Sequence, residues 1–253
     1  MPRFLRRTAQ GGSAVNRLRG GKAKPYASCA IVPVKTLADA KSRLSSALSP
    51  TQRRCLVFAM FKDMLDALAV TPAIDAVLVV TAEPEVAELA SRRGATVLHE
   101  ERRLGLNAAL ALGAAYAKQR GAGQVLFIPA DLPFVTPAEL AEIMATAHPA
   151  EPSYMTIVPS RDGNGTNALL LSPPDALPPN FGPGSFERHC AQARARGLSP
   201  RAIRLKGVAT DIDEPNDLAI LMERSREGAR YGFLHETGRA RNGHGREAGV
   251  TEP

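Results

Sequence analysis

The chain has 253 residues, of which 44% are hydrophobic and 23% charged, with no tryptophan. That composition supports a sizeable buried core and excludes wholesale disorder. No apolar stretch is long enough to span a bilayer, and 5% aromatics argue against a stacking platform for single-stranded nucleic acid.

The net charge of +7 belongs to one segment. Residues 1–25 hold seven Arg and Lys and no acid, whereas residues 26–225 hold 20 basic and 21 acidic side chains. The core is therefore close to neutral, and the basic arm is expected to be disordered. Such an arm could touch nucleic acid or anionic lipid, but a solvated extension is the plainer reading. The expected organisation is a disordered basic arm over 1–26, one domain over 27–225 and a flexible tail over 226–253. Cys29, Cys55 and Cys190 are odd in number and widely spaced, which fits a reducing cytoplasm and excludes a cysteine zinc site.

The apolar run from Ser28 to Val34 predicts the first strand. Ser49-Pro50-Thr51-Gln52 has the signature of a helix start, with Ser as the N-cap and Gln reaching back to it. Leu56, Met60, Met64, Ala67 and Leu68 then form a one-sided stripe. Ala76 to Thr81 predicts a second strand, Pro84 to Arg93 a helix ended by Gly94, and Ala95 to Leu98 a short strand. Asn107 to Arg120 predicts an Ala-rich helix, and Gln124 to Ile128 a buried strand that runs out at Pro129-Ala130-Asp131. Thr136 and Glu139 repeat the capping signature for a helix to about Ala147. Two strands (Met155 to Pro159 and Ala168 to Leu171), a helix from Ser185 to Arg196, a strand from Ala202 to Leu205 and a helix from Glu214 to Arg224 complete the pattern. Unbroken apolar strands alternating with helices predict an α/β three-layer sandwich with a mainly parallel central sheet. In such sheets ligands bind beyond the carboxyl ends of the strands.

Five constellations sit where ligands would bind. Lys35, Lys41 and Arg43 follow the first strand, and three cations suit a polyphosphate. The loop lacks Walker A glycines, and a solvated basic loop is the bland alternative. Asp131 lies just past a buried strand between Pro129 and Pro133, where a carboxylate needs a cation or donors. In extended backbone Asp211 and Asp213 point to one side, and Mg2+ would relieve their repulsion. The alternative is a cap for the helix that follows. Gly163 to Ala168 could present backbone donors to an anion or be an ordinary hairpin turn. Gly182 to Phe186 could bind phosphate or carboxylate at a helix start, with Ser185 adding a hydroxyl, or simply cap that helix. His189, one turn on, is read as structural more readily than as a substrate contact.

The segments Pro33–Leu44, Pro129–Pro133, Gly165–Ala168, Phe181–His189 and Thr210–Leu218 together resemble the CofC/FbiD family. These are guanylyltransferases of coenzyme F-420 biosynthesis with a Rossmann-like fold of the nucleotide-diphospho-sugar-transferase type. The resemblance implies attack by a phosphorylated three-carbon acid on GTP with release of pyrophosphate. The acid is 2-phospho-L-lactate, 3-phospho-D-glycerate or phosphoenolpyruvate. It further implies that Asp131, Asp211 and Asp213 hold Mg2+ and that Lys35, Lys41 and Arg43 face the GTP phosphates. Thr166, Gly182 and Ser185 would contact the acid, with Asn167 beside them where some relatives carry a second Thr. The expected partners are thus GTP and the acid, with no membrane; a homodimer is allowed, and nucleic acid is disfavoured. The competing readings are a molybdenum-cofactor or sugar-phosphate nucleotidyltransferase of the same fold, and a nucleic-acid-binding protein acting through the basic arm.

Overall fold

The apolar runs become strands and the one-sided stripes become helices, in the order read above. The computed structural model describes residues 27–35, 37, 41–100, 105–147, 151, 153–224 and 229–234. The strands are β1 (Ser28–Val34), β2 (Ala76–Thr81), β3 (Thr96–His99), β4 (Gln124–Phe127), β5 (Tyr154–Pro159), β6 (Thr166–Ser172) and β7 (Pro200–Ala202). The helices are α1 (Pro50–Ala69), α2 (Pro84–Arg92), α3 (Leu106–Gln119), α4 (Pro137–Ala145), α5 (Ser185–Ala195) and α6 (Pro215–Arg224). Both sequence-read capping boxes form: Ser49 pairs with Gln52, and Thr136 with Glu139.

The seven strands make one sheet in the order β3-β2-β1-β4-β6-β5-β7. β1 pairs in parallel with β2 and with β4, β2 with β3, and β5 with β7. Only β6 runs antiparallel, to both its neighbours. Alternation along β1 shows how the layers form. Ala30, Val32 and Val34 join Phe61, Met64 and Leu65 of α1 and Leu140 and Ile143 of α4 on one face. Cys29 and Ile31 join Ala109, Leu110 and Ala114 of α3 and Ala193 of α5 on the other. The sheet is therefore covered on both sides, which is why its strands carry unbroken apolar runs.

A third, smaller cluster lies beneath the loops at one end of the sheet. Leu44 and Leu48 pack there with Leu56 and Met60 of α1, Ile212, and Leu218 and Leu221 of α6. Tyr231 and Leu234 complete it. Within the tail expected to be flexible over 226–253, residues 229–234 pack into this cluster instead. Ala229–Leu234 forms a short 3-10 helix, and the Tyr231 hydroxyl donates to Asp63 Oδ2 at 2.6 Å. Burying an aromatic and a leucine against α1 stabilises that segment by several times the thermal energy. The last strand also differs from expectation, closing at Ala202 rather than opening there. The arm over 1–26 and the rest of the tail lie outside the described residues. Among the described residues, no helix is long and apolar enough to cross a membrane.

Candidate active site

β1 and β4 are parallel neighbours at the centre of the sheet, and the chain leaves them in opposite directions across it. That switch point opens a crevice at their carboxyl ends. A cavity of about 610 Å3 fills it, lined by Lys35, Lys41, Asp131 and Asp213 among apolar neighbours such as Leu106 and Met60. A smaller cavity of about 160 Å3 shares Val34, Lys35 and Leu106 and extends towards Ala82 and Glu100. Together they have the size and the mixed lining of a small-molecule site.

The most organised feature is an ion triad. Lys41 Nζ donates to Asp131 Oδ2 at 2.6 Å and to Asp213 Oδ1 at 2.7 Å. The Lys41 side chain is only 9% exposed. Burial alone would lower its pKa, but the Asp131 and Asp213 carboxylates outweigh that and raise it above the ordinary lysine value. Lys41 also adopts left-handed backbone, with φ 54° and ψ 41°. For a residue with a Cβ this is strained, and such strain clusters where a side chain must be aimed. Leu44, buried three residues later, pins this turn into the third core cluster.

The second acidic segment is anchored the same way. Ile212 is fully buried between Asp211 and Asp213, and its N–H donates to the Asp131 carbonyl at 3.3 Å. The two acidic loops are thereby tied together. Burial, and then the charges of Asp131 and Asp213, raise the Asp211 pKa above the ordinary carboxylate value. Two carboxylates thus share one ammonium, and the third, Asp211, feels the charges of both. Oxygen-only donors with surplus negative charge are the set that suits a hard divalent cation such as Mg2+. Lys41 stands between two of them, and among the described residues no three His, Cys, Asp or Glu side chains stand at metal-ligand spacing.

Sequence reasoning offered Asp213 as a cap of α6. The structure gives that role to Asp217, whose Oδ2 accepts the N–H groups of Asp213 (3.1 Å) and Glu214 (2.9 Å). Its other oxygen pairs with Arg161. Burial raises the Asp217 pKa, but the Arg161 bond and the two amides prevail and hold it below the ordinary value. An acid three residues into a helix is the signal that could have revealed this cap. Glu139 has a similar double role. One oxygen completes the capping box of α4, and the other accepts the Gly207 N–H at 2.7 Å.

The remaining expected residues divide. Lys35 lines both cavities. Arg43 does not; its side chain is 70% exposed, 3.7 Å from Glu214. Asn167 is buried, and its Nδ2 donates to the Val208 carbonyl (3.0 Å) and to Asp211 Oδ1 (3.4 Å). It braces the Asp211 loop. Gly163 to Gly165 proves to be the hairpin turn between β5 and β6. The Asn164 and Gly165 amides are taken by Asp162 Oδ1 and Ser160 Oγ, so they are not an anion cradle. Thr166 and Ser185 do meet: Ser185 Oγ donates to Thr166 Oγ1 at 3.1 Å, and His189 Nδ1 lies 3.1 Å from the same oxygen. Gly182 sits in left-handed backbone, φ +125°, on the exposed loop just ahead of Ser185. Arg188 holds that loop through bonds to Asn180 Oδ1 and the Asn180 carbonyl.

Known proteins give this arrangement a context. The family described as "Guanylyl transferase CofC like" matches residues 28–242. The phosphoenolpyruvate guanylyltransferase of Sphaerobacter thermophilus is 46% identical over 201 residues, covering 79% of this chain and 95% of that one. The 2-phospho-L-lactate guanylyltransferase of Methanothermobacter thermautotrophicus is 35% identical over 190 residues, covering 75% and 82%. In fold, a solved nucleotidyl transferase from Methanothermobacter superposes with a TM-score of 0.56 at 18% identity, covering 78% of this chain and 96% of that one.

Proposed function

The chain belongs to the family of CofC-like guanylyl transferases, and from that premise we propose how it works and on what. It joins GTP to a phosphorylated three-carbon acid in coenzyme F-420 biosynthesis, in the cytoplasm. Phosphoenolpyruvate, 3-phospho-D-glycerate and 2-phospho-L-lactate are the candidate acids. A phosphate oxygen of the acid attacks the α-phosphorus of GTP. The bond between the α-phosphorus and the bridging oxygen breaks, and pyrophosphate leaves. That nucleophile is already ionised at neutral pH, so no side chain has to remove a proton. Catalysis then rests on positioning and on charge stabilisation.

Asp131, Asp211 and Asp213 would hold Mg2+, which supplies charge neutralisation at the phosphate oxygens. Lys41 keeps two of those carboxylates at a fixed separation and presents its ammonium to the cavity. Lys35 adds a second cation at the same wall. Thr166, Gly182 and Ser185 would meet the acid. The free thiols of Cys29, Cys55 and Cys190 fit a reducing compartment.

The observation that carries this reading is the Lys41–Asp131–Asp213 triad at the carboxyl ends of β1 and β4. The test is pyrophosphate release from GTP with each of the three acids, with and without Mg2+, followed by mass analysis of the product. A guanosine diphosphate-linked acid is expected with at least one of them. Absence of release with all three refutes the reading.

A further inference from the structure

His189 is completely buried in α5, and the guanylyl-transfer chemistry described above makes no use of it. Its two ring nitrogens have different partners. Nε2 lies 3.0 Å from the Asn180 backbone nitrogen, whose N–H donates to it. A nitrogen that accepts a hydrogen bond carries no proton. In a neutral imidazole the proton must then be on Nδ1. Nδ1 therefore donates to Thr166 Oγ1, 3.1 Å away. Ser185 Oγ donates to the same oxygen. A hydroxyl oxygen has two lone pairs, and these two donors use both.

The Thr166 proton must consequently point elsewhere, and no acceptor for it lies among the described residues. Thr166 is 7% exposed, so a nearly buried O–H is left without an acceptor among the described residues and free to donate to a ligand. We propose that His189 is a positioning residue that fixes the Thr166 hydroxyl as a hydrogen-bond donor to an anionic oxygen of the phosphorylated acid. This rests on the reading of Thr166 as an acid contact. The Phe181 ring packs edge-on against the imidazole, 4.9 Å between centroids, and locks its orientation. Burial and, secondarily, the charge of Arg188 hold the His189 pKa at about 4, so the ring is neutral at pH 7.

Two measurements test the proposal. The first is nitrogen NMR of the imidazole in the wild-type protein at pH 7, which reports the tautomer whether or not the protein is active. The Nδ1–H form is expected, and the Nε2–H form overturns the proposal. The second is steady-state kinetics of His189→Phe, Thr166→Val and the double variant at saturating GTP. His189→Phe is expected to raise KM for the acid about tenfold while kcat and KM for GTP change less than twofold. In the Thr166→Val background the same change should add less than twofold, because its target is gone. Effects that multiply, or an equal rise in KM for GTP, overturn the proposal. His189→Asn, whose Nδ2 can occupy the place of Nδ1, should recover most of the affinity for the acid. Should His189→Phe fail to fold, the NMR tautomer and the Asn variant still decide. A wild-type protein that shows the Nδ1–H tautomer but releases no pyrophosphate with any of the three acids refutes the guanylyltransferase reading instead.

Discussion

Gly207 is the position where one methyl group should do the most damage at a distance. A Cβ built there would lie 2.2 Å from the Phe134 carbonyl oxygen and 2.2 Å from Glu139 Oε2. Its φ is ordinary, so the objection is steric rather than conformational. The Glu139 carboxylate could swing away, but the Phe134 oxygen is backbone. Reaching even 3.0 Å requires a shift of about 0.8 Å. That shift breaks the bond from Gly207 N–H to Glu139 Oε1 and disturbs the cap of α4. Overpacking costs about 1–3 kcal/mol, and losing a hydrogen bond to a charged partner about 1.5–3 kcal/mol. Gly207→Ala should therefore lose about 3–5 kcal/mol, a fall in Tm of about 10 °C for a domain of this size. Activity should fall as well. The turn over 206–210 leads directly into Asp211, and Asn167 grips its Val208 carbonyl. A displacement near 1 Å in a positioning element costs about a hundredfold in kcat. Thermal melting and pyrophosphate release on the same sample check both effects. A variant that melts within 2 °C of wild type and turns over normally would refute this account of how the acidic loop is held.

Lys41→Met removes the ammonium that Asp131 and Asp213 share; kcat should fall about 10²–10³-fold, the usual loss for a preorganised charge at a reacting phosphate, read by single-turnover GTP consumption. Asp217→Ala strips the amides of Asp213 and Glu214 of their acceptor and leaves Arg161 unpaired. Stability should drop by about 2 kcal/mol in urea unfolding, and kcat/KM should drop at least tenfold. His189 has a folded pKa of about 4 against an ordinary 6.5. Above pH 6.5 it is neutral folded and unfolded, so its contribution is complete there. As pH falls towards 4 only the unfolded chain takes up the proton, and about 2 kcal/mol is lost by pH 5. Arg188 is the charged neighbour that opposes protonation of the ring. Urea unfolding of wild type and His189→Asn at pH 7.5 and pH 5 should show this loss in wild type alone.

What the sequence disclosed, and what it hid, follows from the range of the forces involved. Capping boxes at Ser49–Gln52 and Thr136–Glu139 were legible because both partners lie within one helical turn. The apolar runs of β1, β2 and β4 were legible because the sheet is covered on both faces. The direction of β6 was not, since an apolar run reads the same forwards and backwards. Lys35 and Asp131 could be singled out because charges just past buried strands need a reason to be there, Lys41 because it belongs to the same cationic loop as Lys35, and Asp213 because it alternates with Asp211. Their pairing could not: Lys41 and Asp213 are 172 positions apart. The second duty of Glu139 and the bracing role of Asn167 stayed hidden for the same reason, whereas the capping by Asp217 is local and its signal, an acid three residues into the helix, was there to be read. The packed segment near the C-terminus did carry a local signal, Tyr231-Gly232-Phe233-Leu234, the one dense apolar run in an otherwise polar tail. The composition of the whole tail masked it.

The triad also separates what the protein needs to fold from what it needs to react. Asp131 and Asp213 would repel each other across the cavity mouth, and a site built on carboxylates alone would require a cation to hold together. Lys41 already supplies one, with its ammonium within 2.7 Å of both, and the backbone bond from Ile212 to Asp131 joins the loops independently of any charge. Chelating divalent ions should therefore leave the fold intact while removing the charge neutralisation proposed for the phosphates. With EDTA in excess, Tm should move by less than about 2 °C, whereas pyrophosphate release should fall below detection and return on adding Mg2+. A large drop in Tm on chelation would mean that a metal, not Lys41, joins the two loops. Undiminished turnover would mean that the carboxylates serve the lysine alone and that no divalent ion takes part in the transfer.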